Sequence, residues 1–310
     1  MMKKIGLSRL AFLVASLGLA FGPSATSTLA AEPGTVNLTV TAVGKKDTSA
    51  PIVNKEDVRV FLNKERTQIA DWKHGEKLYL AVVIDDSLES SIANQWGDLK
   101  EFLNAQPSTT YVSVSYARNG AVQLAQDFTN DHALAAKALR LPLGSGGAFS
   151  SPYLSILDLM KRWPSSPDRR SILLFSSGID YFRGGGFGPK SPDLDSTIER
   201  AQKQNINVWT IYAPDAGHLG RGFFRTTWAQ SNLSQLSDET GAESFFLGTG
   251  APVTLKPYFD EISTHLSNQY LLTFRGNGGA KGRFERVRVT SELAHVEFLA
   301  ASQVFLSAAK

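Results

Sequence analysis

Asp85, Asp86, Ser87 and Glu89 stand close together in the stretch VVIDDSLESS. Three carboxylates and a hydroxyl at that spacing offer the oxygen donors a hard divalent cation takes. The same set can serve metal-assisted hydrolysis, where the metal activates a water. Other chemistry is poorly supplied. There is no cysteine, so no thiolate nucleophile and no disulfide. The five histidines, His74, His132, His218, His265 and His295, lack zinc-type spacing. His265 is expected to pack on a helix face beside Ile262, and only His218 lies in a candidate binding loop. GGGFGPKS at 184–191 has the glycine content of a phosphate cradle, but Pro189 removes an N–H just before Lys190. Ser176 and Ser177 end a strand as a hydrolase nucleophile does, yet no G-x-S-x-G surrounds them.

The carboxylates are placed by what precedes them. Leu78–Ile84 is an unbroken apolar run of β-formers, the signature of a strand covered on both faces. Ser90 or Ser91 is expected to cap a helix carrying Ile92, Trp96, Leu99, Phe102 and Leu103. Arg118-Asn119-Gly120 predicts a type I′ hairpin between strands Tyr111–Ala117 and Ala121–Phe128. Ser171–Phe175 and Asn207–Ala213 read as further buried strands. Helices are expected at 131–140, 153–163, 195–204, 228–240 and 258–266, with a short strand at 244–247. This alternation predicts a mostly parallel sheet with helices on both faces and one antiparallel edge strand. Both ends are β only: Val36–Thr41, Val58–Leu62 and Thr67–Trp72 at one, Tyr270–Phe274, Phe284–Thr290, Val296–Ala300 and Val304–Leu306 at the other. The organisation expected is a 33–76 segment pairing with 268–310 as a small β domain, with an α/β unit, 77–267, inserted between them.

Residues 1–30 read as a secretory signal: Lys3, Lys4 and Arg9, an apolar Leu10–Phe21, then small residues ending at Ala30. That apolar core is short for a membrane span, and no later stretch is long enough. The formal charge of +3 belongs to the leader, because its three basic residues leave 29 basic and 29 acidic side chains beyond it. A balanced chain gives no electrostatic case for nucleic acid or an anionic membrane. The expected location is periplasmic or secreted.

The element order, together with VVIDDS, the hairpin strands, ILLFSSGID and IERAQKQNINVWTIYA, resembles a von Willebrand factor type A domain over about residues 77–267. With its leader and flanking β segments, the whole chain resembles a group of exported bacterial proteins that carry this Rossmann-like domain. The resemblance implies a metal-ion-dependent adhesion site: Asp-x-Ser-x-Ser in one loop, a Thr in a second and an Asp in a third. Asp85 and Ser87 match the first two positions. Glu89 replaces the second Ser, Ser151 or Ser150 stands for the Thr, and Ser177 replaces the Asp. The site is therefore degenerate, and Mg²⁺ or no cofactor at all is the expectation; Asp86 and Asp180 lie near enough in sequence to assist. Without metal, Asp85 and Ser87 would organise their loop by bonding local backbone.

Four loops should emerge at one end of the sheet: 85–91, 144–151, 178–191 and 213–226. They carry Phe149, Tyr181, Phe182, Phe187, Phe223 and Phe224 with Arg183, Arg221, Arg225 and His218. Aromatics and arginine dominate interface hot spots; the same aromatics can also fold inward to bury long loops. The reading that follows is a non-enzymatic module binding a protein partner through this loop face. A metal-assisted hydrolase using Asp85, Asp86 and Glu89, and an envelope protein self-assembling through its β ends, are the alternatives.

Overall fold

The computed structural model describes residues 34–45, 52–75, 77–164, 166–182, 190–216, 223–246 and 253–308, with Phe223 described by its backbone. The leader, Arg183, Phe187, His218 and Arg221 lie outside the described residues, as does the Phe223 side chain.

Strands β1 (Thr35–Gly44), β2 (Val58–Leu62), β3 (Glu65–Thr67) and β4 (Ile69–His74) come first. Then follow β5 (Leu78–Asp85), α1 (Trp96–Asn104), β6 (Thr110–Arg118), β7 (Ala121–Thr129), α2 (His132–Lys137), α3 (Pro152–Lys161) and β8 (Arg169–Ser176). Next are α4 (Leu194–Gln204), β9 (Ile206–Tyr212), α5 (Phe223–Thr240), β10 (Ser244–Phe246) and α6 (Lys256–Ser267). Strands β11 (Gln269–Arg275), β12 (Arg283–Ser291), β13 (Val296–Ala300) and β14 (Gln303–Leu306) complete the chain.

Strands β5 to β10 make a six-stranded sheet in the order β10-β9-β8-β5-β6-β7. All neighbours are parallel except β6 and β7. The hairpin turn has Asn119 at φ 53° and Gly120 at φ 69°, as the Asn-Gly pair predicts for type I′. The apolar run of β5 divides cleanly between the two faces. Leu78, Leu80, Val82 and Ile84 join the layer with α1, α2 and α6, whereas Ala81 and Val83 join the layer with α3, α4 and α5. Both faces are dry, so no polar alternation is needed along the strand.

The end segments form two four-stranded antiparallel sheets, β13-β1-β11-β4 and β14-β12-β2-β3. Seven paired positions join β1 to β11, from Thr35 with Arg275 to Thr41 with Gln269. Five join β2 to β12. Inward residues of both sheets, Leu38, Val40, Leu272 and Phe274 from one and Val58, Val60, Val287 and Val304 from the other, share one core. Thr67–Trp72, expected as a single strand, is divided: β3 pairs with β2, and β4 crosses to pair with β11. Arg169, buried at the start of β8, ties the six-stranded sheet to this region by donating to the Leu266 carbonyl at 2.7 Å and to Gln269 Oε1 at 3.2 Å. Burial pushes its guanidinium down to about 10, since desolvation disfavours the charged form.

Two helix starts differ from expectation. Residues Ser90–Gln95 form a 3-10 turn, and the α-helix proper begins at Trp96. Neither Ser90 nor Ser91 is the cap, because Glu89 and Gln95 occupy those positions without side-chain capping bonds. Helix α5 begins at Phe223 rather than near Trp228, so Phe224 and Arg225 are helical.

Candidate functional site

Strands β6 and β8 flank β5 on opposite sides, so the chain's connections diverge at the carboxyl end of β5. That is the switch point where open α/β sheets leave a crevice. Asp85 is the last residue of β5 and sits there, buried at 2% exposure.

Both Asp85 oxygens are occupied. Oδ1 accepts from the Ser87 N–H at 2.9 Å, and Oδ2 accepts from the Ser176 hydroxyl at 2.8 Å. The Ser87 hydroxyl lies beside the carboxylate without making a well-directed hydrogen bond. Burial raises the Asp85 pKa, and the nearby Asp215 carboxylate adds to the rise. Asp180 is also buried and raised by desolvation, although the Ser191 hydroxyl at 2.6 Å and the Phe182 N–H at 3.0 Å favour its charged form. Asp215 is buried and accepts from the Tyr181 hydroxyl.

The other expected ligands point to local backbone. Ser151 caps α3 by accepting from the Leu154 N–H at 3.3 Å, and it lies near Asp180. Ser177 accepts from the Ile179 N–H at 3.3 Å; its neighbour Ser176 is the hydroxyl that reaches Asp85. Glu89 is half-buried with the Ser91 hydroxyl 3.5 Å away. Asp86 does not assist the site. Its fully buried carboxylate takes a fork of two bonds from Arg140, at 2.7 and 2.8 Å. The guanidinium stacks 3.6 Å from the Tyr116 ring centroid, and the Tyr116 hydroxyl donates to the Arg140 carbonyl at 3.0 Å. Ser176 and Asp215 beside Asp85, and Arg140 with Tyr116 beside Asp86, carry none of the usual motif spacing; only strand register and loop return bring them there.

Backbone bonds lace the surrounding loops together. Ser145 N–H donates to the Asp86 carbonyl at 2.8 Å, Tyr181 N–H to Ser150 at 2.8 Å, and Ala216 N–H to Ser87 at 2.9 Å. Gly146 packs so closely over Ser150 and Ser87 that a Cβ there would stand 2.0 Å from the Ser150 hydroxyl. This roof explains why Ser87, Ser150, Ser151 and Ser177 are all buried.

An octahedral Mg²⁺ shell needs several oxygens turned to one point. Here Asp85, Ser151 and Ser177 are each committed to protein partners, and Ser87 Oγ alone is left unbonded. The arrangement resembles a polar plug that locks four loops. It has a measurable consequence. An acid whose pKa is raised in the fold binds its proton more tightly there than in the unfolded chain. Its contribution to stability is therefore greatest below the ordinary carboxyl pKa and is lost as pH rises through the raised folded value. Asp85→Asn is expected to raise the melting temperature at pH 7, to leave it little changed at pH 3, and to make both responses independent of Mg²⁺. A Mg²⁺-dependent rise of several degrees in wild type, absent from the variant, would overturn the plug.

The apolar groups of this end lie outside the roof. Leu141, Leu143 and Phe149 are 60%, 54% and 56% exposed, and Phe224 on the first turn of α5 is 70% exposed. Phe149 meets the half-buried Phe182 edge to face at 5.4 Å. Tyr181 is turned inward to Asp215.

No protein-family model matches the chain, and no curated protein matches its sequence. Solved structures similar in three dimensions include a von Willebrand factor type A protein from Catenulispora acidiphila, at 12% identity and TM-score 0.44, covering 90% of this chain and 74% of that one. The vWF domain of the type V pili tip protein Mfa5 from Porphyromonas gingivalis is 14% identical at TM-score 0.42, covering 61% and 94%. An aerotolerance-related membrane protein from Bacteroides fragilis is 9% identical at TM-score 0.44, covering 61% and 98%. Counted from β5, the strands of the large sheet run 3-2-1-4-5-6, the doubly wound order. With that order, helices on both faces and one antiparallel edge strand, the unit built on β5 to β10 has a doubly wound, Rossmann-like fold, the fold that a resemblance to von Willebrand factor A domains implies.

Proposed function

We propose that this chain is an exported, non-enzymatic module that binds a protein through the loop rim above Asp85, without a resident metal. The observation that carries the reading is the division of labour at that end of the sheet. Polar side chains are turned inward and bonded to one another, while Leu141, Leu143, Phe149 and Phe224 are presented outward. Exposed apolar groups gathered on a backbone-laced scaffold are what a binding surface needs, because little entropy is lost when it docks. The balanced charge beyond the leader points the same way, to a protein rather than a polyanion. Among the described residues, no helix is long and apolar enough to cross a membrane. The basic and apolar leader supports a periplasmic or secreted site of action.

Two features weigh against the alternatives. A hydrolase built on Asp85, Asp86 and Glu89 would lose Asp86 to Arg140, and Asp85 lies buried under the loop roof. Self-assembly through the β ends would use free strand edges. The β segments pair with each other, and the edge strands β3, β14, β13 and β4 are only three, four, five and six residues long. We read the β ends as one supporting unit into which the α/β unit is inserted.

Phe149→Ser combined with Phe224→Ser tests the rim. Both side chains are exposed, so the double variant is expected to unfold within about 0.5 kcal/mol of wild type. Crosslinking in envelope extract should give a specific partner band with wild type, reduced by about 30-fold in affinity with the variant, as for loss of a hot spot. Loss of stability with unchanged crosslinking would show that the rings pack their own loops.

A further inference from the structure

We propose that Glu243, Glu261 and His265 form a binding site for a divalent transition metal of the zinc class, separate from the Asp85 region. Glu261 and His265 are four residues apart on α6, so they share one helix face. Glu243 directly precedes β10, the outer strand of the six-stranded sheet, three strands from β5. One ligand atom from each of the three lies within 4.8 Å of the others.

The local chemistry lacks a cation. Among the described residues, neither glutamate has a lysine or arginine partner within ion-pair reach, although Asp238 adds a further negative charge near Glu243. His265 is 6% exposed, and its Nδ1 is turned toward Glu243 without a hydrogen bond. The gap from Nδ1 to Glu243 Oε2 is 3.5 Å, long for a hydrogen bond. It matches the spacing of about 3.4 Å between two ligands each ~2.1 Å from one tetrahedral zinc. The ring lies against Trp209, 5.4 Å between centroids, which restrains its orientation. One imidazole with two carboxylates suits zinc better than magnesium, which prefers an all-oxygen shell. Glu261 is exposed, so an ion can enter from solvent and a water can complete the tetrahedron.

Titration of the full chain with ZnCl₂ by calorimetry, after chelator treatment, tests the site. One equivalent is expected to bind, and X-ray absorption should show nitrogen and oxygen donors at about 2.0–2.2 Å. Glu261→Gln leaves the core untouched and should weaken binding by more than about tenfold. His265→Gln should do the same, while Asp85→Asn should leave zinc affinity unchanged. Absence of zinc binding, or binding that survives Glu261→Gln, would overturn the proposal, and the exposed position of Glu261 keeps that test free of folding defects.

Discussion

Arg140→Met is expected to lower the unfolding free energy by about 3–5 kcal/mol, the cost of leaving a buried charge without its partner. The asymmetry of the pair makes this variant the informative one. Asp86 is fully buried, whereas the Arg140 side chain is 38% exposed. Removing Asp86 leaves a cation that water can still reach. Removing Arg140 leaves a carboxylate that water cannot reach and that the Tyr116 ring face does not favour. Asp86→Asn is therefore expected to cost less than Arg140→Met, and combining the two should recover much of the loss, because no buried charge remains. Urea unfolding of the three proteins, with a constant dependence on denaturant, gives the comparison. An Arg140→Met loss under about 1 kcal/mol would mean that the ion pair contributes as little as a surface pair. The functional consequence follows from position. Arg140 leads directly into Leu141 and Leu143, so the pair anchors one side of the exposed rim to the tip of the central strand.

Gly178→Ala should cost about 2–5 kcal/mol. Gly178 has φ +71°, a conformation that costs an L-residue roughly 1–2 kcal/mol. A Cβ there would also stand 2.6 Å from the Ala229 carbonyl oxygen and 2.8 Å from Leu233 Cγ. Overpacking of this kind adds about 1–3 kcal/mol. Because α5 is the obstacle, the strain should move the 177–182 loop and the amino-terminal turns of α5 together, displacing Phe182 and Phe224. Gly97→Ala is the matched control. It is exposed, lies in the first turn of α1 and has nothing within 4 Å of an added Cβ, so it should stabilise slightly, by less than the roughly 0.5–1 kcal/mol of a mid-helix position. Thermal melts of both variants decide the matter. Equal effects of the two substitutions would remove the case for close packing of α5 against the loop.

The apolar run Leu78–Ile84, the Asn119-Gly120 turn and the alternation of strand and helix were enough to specify a doubly wound sheet with an antiparallel edge. Each is a local pattern: burial on both faces suppresses polar alternation, and a positive-φ pair forces the hairpin. The same patterns placed Asp85 at the strand tip, since the apolar run stops there. They did not say which neighbours it would bond. Ser176 rather than Ser177 faces Asp85 because parallel pairing of β5 with β8 brings the strand ends level, and adjacent residues point to opposite sides. Asp86 next to Asp85 reads as one carboxylate cluster in sequence. In the fold, the alternation of strand side chains sends it to Arg140, 54 residues away.

The start of α5 was missed because Phe223-Phe224-Arg225 carries no capping residue and follows a glycine-rich stretch that reads as loop. The split of Thr67–Trp72 between two sheets was hidden for a related reason, since both strands alternate alike. The Glu261 and His265 pair was visible as a four-residue spacing on a helix, but spacing alone does not distinguish a packed histidine from a ligand. Only the position of Glu243 just ahead of β10, at a distance set by packing of α6 on the sheet, gives that pair a third donor. Chemistry of side chains and periodicity are written along the chain; who meets whom across the sheet is decided by register and packing, which depend on all the strands at once.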